Sequence, residues 1–137
     1  MRVNDDYPTW NAEQQLGDES SVLSFWTKAL AIRKEYPLLV RVSVLHFSTT
    51  TYVNMQILGE FELILPDHPH VIAYKRKHGS AEALTLLNFS NADVVLSVGD
   101  EEKGKGWRFV LGNYTDVHDT TSHDLRPYEG RVYVLGG

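Results

Sequence analysis

The stretch that most constrains this chain is residues 60–90, EFELILPDHPHVIAYKRKHGSAEALTLLNFS. Phe61, Leu63 and Leu65 alternate with Glu60, Glu62 and Ile64, so an extended backbone puts the two sets on opposite faces. Pro66-Asp67-His68-Pro69 then breaks the run, Val71 to Tyr74 resumes it, residues 75–80 form a polar turn, and Ala83 to Phe89 is a third apolar segment. Short alternating runs punctuated by Pro and Gly specify a meander of antiparallel strands. Further strands are expected at 94–98, 107–111 and 131–135, with Pro127 marking the approach to the last because it has no N–H for a ladder.

The N-terminal part follows another rule. Residues 1–17 have no period, and Asn4-Asp5-Asp6 and Tyr7-Pro8 are turn formers. Residues 18–36 read as a helix, with Asp18 or Ser20 as cap, Glu19 in the first turn, Lys34 in the last and Pro37 as terminator. Its apolar positions, Val22, Leu23, Phe25, Trp26, Ala29, Leu30, Ile32 and Tyr36, cover about half the circumference. So wide an arc fits a helix docked on something large, and Arg33 near its centre needs either an acceptor or a route to solvent.

Composition excludes several chemistries. The chain has no cysteine, so disulfides, thiolate metal sites and cysteine nucleophiles are absent. A net charge of −5, with scattered Lys and Arg, offers no basic patch for nucleic acid. No apolar run approaches the length of a membrane span, and no signal peptide opens the chain, so a cytoplasmic location is expected. The motifs that remain are weak. No Gly-x-Ser-x-Gly elbow is present, and the Gly-rich loop 99–106 lacks the Lys-Ser/Thr ending of a phosphate cradle. His68 and His70 sit in a turn without a third ligand, and His118-Asp119 and His123-Asp124 lie in a polar loop. Asn88-Phe89-Ser90 and Asn113-Tyr114-Thr115 have the form of glycosylation sequons. Trp107, Tyr114 and Tyr128 are candidates either for a core or for a sugar-stacking platform. No catalytic residue, metal ligand or cofactor site follows from these patterns.

Four stretches, MRVNDDY, DESSVLSFWTKALAIRKEYPLL, LGEFELILPDHPHVIAYKRK with ALTLLNFS, and LRPYEGRVYVL, occur together in this order. In that order the chain resembles the C-terminal end of glycoside hydrolase family 13 α-glucosidases of the fungal maltase and oligo-1,6-glucosidase type. The resemblance implies a mainly β fold: a C-terminal antiparallel β-sandwich of the α-amylase superfamily, preceded by one helix left from a truncated (β/α)8 barrel. It implies three regions: 1–39 as the end of the catalytic barrel, 40–56 as an atypical insertion, and 57–137 as the sandwich. It also implies an α-glucoside oligosaccharide as ligand of the intact enzyme, no nucleic-acid or membrane partner, and no cofactor. A retaining mechanism needs two carboxylates about 5–5.5 Å apart. The motifs that carry them in the family, Gly-Phe-Arg-x-Asp and Asn-His-Asp, have no counterpart in this sequence. This chain alone is therefore expected to be inactive, with Arg2 and Asn4, on the loop above the barrel, as its only substrate-edge candidates. The family continues through Met1, which makes Met1 an internal methionine on this reading. Removing 40–56 restores the family's spacing, and the possible codons at its ends suit a translated intron. The alternative is a stand-alone, non-catalytic carbohydrate-binding or structural sandwich.

Overall fold

The structure, a computed structural model, describes residues 3–40, 60–96, 105–116 and 124–136. Arg2, nearly all of the insertion 40–56, His118, Asp119 and His123 lie outside the described residues. The chain divides into two compact units, Met1–Glu35 and Tyr36–Gly137.

The first unit holds α1, Ala12–Leu16, and α2, Val22–Glu35. The turn before α1 is pinned by Asn4, whose Oδ1 accepts from the Asp6 N–H at 3.3 Å, and by Asn11, whose side chain accepts from the Gln14 N–H at 2.8 Å. Residues 1–17 show no period, so a helix as short as α1 is not foreseen from pattern. α2 also starts later than its period suggests. Asp18 commits its carboxylate to the N–H and hydroxyl of Ser20, at 2.8 and 2.6 Å, which holds a turn rather than a helix start. Ser21 is the cap instead, its Oγ accepting from the Ser24 N–H at 3.2 Å. Val22, Trp26 and Leu30, one stripe at a spacing of four, are exposed by 64, 60 and 50 %. Arg33 is exposed as well, so of its two expected outcomes the route to solvent is the one observed.

The second unit opens with a single 3-10 turn, η1, Pro37–Leu39, and continues as one five-stranded antiparallel sheet. Its strands are β1 Glu60–Leu63, β2 Val71–His78, β3 Ala81–Asn88, β4 Arg108–Gly112 and β5 Gly130–Leu135, in the order β1-β2-β3-β5-β4. β2 runs four residues past its expected end. Lys75 and Arg76 belong to the ladder because each finds a partner there: Lys75 reaches Glu62 on β1 at 3.3 Å, and Arg76 donates to the Leu39 carbonyl at 2.9 Å. The turn shrinks to Gly79-Ser80, with Gly79 at φ +62, a conformation open to glycine.

Alternation gives the sheet two faces. Val71, Ala73, Leu84, Leu86 and Tyr133 line the inner one and are buried under Leu65, Leu96, Trp107 and Leu125. The expected strand at 94–98 is reduced, among the described residues, to a single antiparallel bridge between Val94 and Leu125, and that bridge carries the second layer. Ile64 and Leu65 join this core, whereas Phe61 and Leu63 turn to the opposite face and stay 57 and 50 % exposed. Leu65 was expected to share their face. The chain turns out of the ladder just after β1, so the alternation does not extend that far. The fold is thus mainly β and antiparallel, with few helices.

Leu84 is fully buried and Ile72 is 45 % exposed on the neighbouring strand. Urea unfolding followed by circular dichroism is expected to register a loss of about 2–5 kcal/mol for Leu84→Ala, and of less than about 1 kcal/mol for Ile72→Ala.

Candidate functional site

Among the described residues, the densest polar cluster lies where β5 begins. Glu129 has no exposed side-chain surface and sits between two guanidinium groups. Arg131 meets it as a fork, Nε to Oε1 and Nη2 to Oε2, both at 2.9 Å. Arg126 donates its backbone N–H to Oε2 at 2.8 Å and its Nη2 to Oε1 at 3.1 Å. The other side of Arg126 grips Asp116, Nη1 lying 2.8 and 2.9 Å from the two carboxylate oxygens. Its guanidinium lies 3.8 Å from the centre of the Tyr114 ring, and the Tyr114 hydroxyl donates to the Pro127 carbonyl at 2.9 Å.

The surrounding backbone is fixed just as firmly. Asn88 is buried, and its amide nitrogen donates to the carbonyls of Ala92 and Arg126, each at 2.8 Å. Asn113 accepts from the Gly130 N–H at 2.8 Å and donates to the Tyr128 carbonyl at 2.9 Å. Tyr128 itself adopts φ +54, a left-handed conformation that a non-glycine residue holds only when its neighbours impose it. Both sequon asparagines are therefore structural ties.

Burial by itself would push the Glu129 carboxyl up. The hydrogen bonds from Arg131 and Arg126 outweigh it and hold the group at about 2. The hydrogen bond from Arg126 likewise holds Asp116 below the ordinary carboxylate range. Both carboxylates are acceptors only, and neither can carry the proton that a general acid must deliver. The cluster is a brace.

The other sequence candidates take no part in this cluster. Asn4 is exposed, its Oδ1 engaged in its own turn. His68 Nδ1 accepts the N–H groups of His70 and Val71 at 3.2 and 3.0 Å, so that imidazole caps the turn before β2. The platform of Trp107 with Tyr114 does not form. Trp107 is 5 % exposed within the core, and Tyr114 has its face covered by Arg126. Of the three aromatics, only Tyr128 is exposed. The Glu129 brace was not foreseen, although Arg126, Glu129 and Arg131 all stand in one quoted stretch. Nothing in their spacing distinguishes a buried ion cluster from a solvated loop.

With this geometry in view, comparison with known proteins is decisive for the family. Residues 61–132 match the model described as Maltogenic Amylase, C-terminal domain. The chain belongs to that family. Similar curated proteins include the probable oligo-1,6-glucosidase 2 of Bacillus subtilis, 30 % identical over 98 % of this chain and 21 % of its own length. The α-glucosidase of Schizosaccharomyces pombe is 33 % identical over 98 % of this chain and 20 % of its own length. The chain spans about a fifth of the length of the curated relatives it matches. Among solved structures, the trehalose-6-phosphate hydrolase of Bacillus licheniformis superposes with a TM-score of 0.75 at 24 % identity, over 100 % of this chain and 22 % of that one, a likeness of fold. The matched residues fall within the antiparallel sheet unit, and no described helix is long and apolar enough to cross a membrane.

Unfolded, the Glu129 carboxyl titrates near 4.5, and folded near 2. Its stabilising contribution is thus complete above about pH 4.5 and is lost as pH falls toward 2. Glu129→Gln leaves two guanidinium groups without their buried partner and is expected to cost about 3–5 kcal/mol at pH 7. The variant is also expected to flatten the acid limb of the stability curve, read by urea unfolding across pH 2.5–7.

Proposed function

We propose that this chain is the C-terminal part of an α-glucosidase that hydrolyses maltose- and isomaltose-type α-glucosides, and that it stabilises the enzyme without supplying the acids that cut the bond. The observation that carries this reading is the match of nearly the whole chain to about a fifth of the length of several α-glucosidases and oligo-1,6-glucosidases. The chemistry of the sheet unit agrees with it. Its most elaborate cluster keeps both carboxylates ionised and one of them fully enclosed, which serves cohesion rather than proton transfer.

A role for Arg2 and Asn4 at the edge of the substrate belongs to the same proposal and concerns the assembled enzyme. The rival reading, a free-standing sugar-binding module, loses its main support with the burial of Trp107 and the covering of Tyr114.

The purified chain is expected to give no turnover of p-nitrophenyl-α-glucoside and no heat on titration with maltose or isomaltose. The same chain substituted for the matched fifth of the S. pombe α-glucosidase is expected to support turnover. Hydrolysis by the chain alone, or an inactive substituted enzyme, would overturn the proposal.

A further inference from the structure

We draw no further inference here: the strongest candidate, the end of the inner sheet face where the Trp107 indole N–H and Glu82 Oε2 are buried without a hydrogen bond and Lys105 Nζ stands 3.6 Å from that oxygen, carries nothing because nothing among the described residues shows what group would meet them.

Discussion

One carboxylate with no exposed surface, gripped from two sides by guanidinium groups, ties together the segments that close one end of the sheet. Glu129 immediately precedes β5, Arg131 is the second residue of that strand, and Arg126 reaches outward to Asp116 after β4. Removing an ion pair from water is costly and is repaid only when geometry is good and the remaining lone pairs are satisfied. Here the backbone N–H of Arg126 supplies a further donor to the same carboxylate. Beside it stand the left-handed backbone of Tyr128 and the buried Asn88, whose amide donates to the Arg126 carbonyl.

β3 is the other organising element. It lies between β2 and β5, and its residues 83–86 are buried on both faces. A strand buried on both sides requires a cover on each. The inner cover is built from the second unit's own loops, around Trp107, Leu96 and Leu125. The other is supplied over part of its width by the short segment that precedes the sheet.

Much of the sheet was legible in the sequence because side-chain period and punctuation act locally. Val71 to Tyr74, Ala83 onward, and Arg131 to Leu135 all lie in strands as expected. The misses have physical causes. Lys75 to His78 look like a turn until Glu62 and the Leu39 carbonyl are in place, and both partners are distant in sequence or set by register. Ser21 rather than Asp18 caps α2, because the carboxylate of Asp18 is captured one turn too early by Ser20. Membership of a glycosidase family was legible from four ordered stretches. The brace around Glu129 was not, since burial of a charge is decided by what folds over it.

The charge pairs of the sheet differ in how they meet dissolved ions. At physiological salt the screening distance is about 8 Å, and it weakens attractions between groups that water reaches. Glu62, which tethers β1 to Lys75, is 65 % exposed, whereas the carboxylate of Glu129 is wholly enclosed. Rising ionic strength therefore acts unevenly along the sheet. The four-residue edge strand β1 loosens and frays first, while the end sealed by Arg126 and Arg131 keeps its grip.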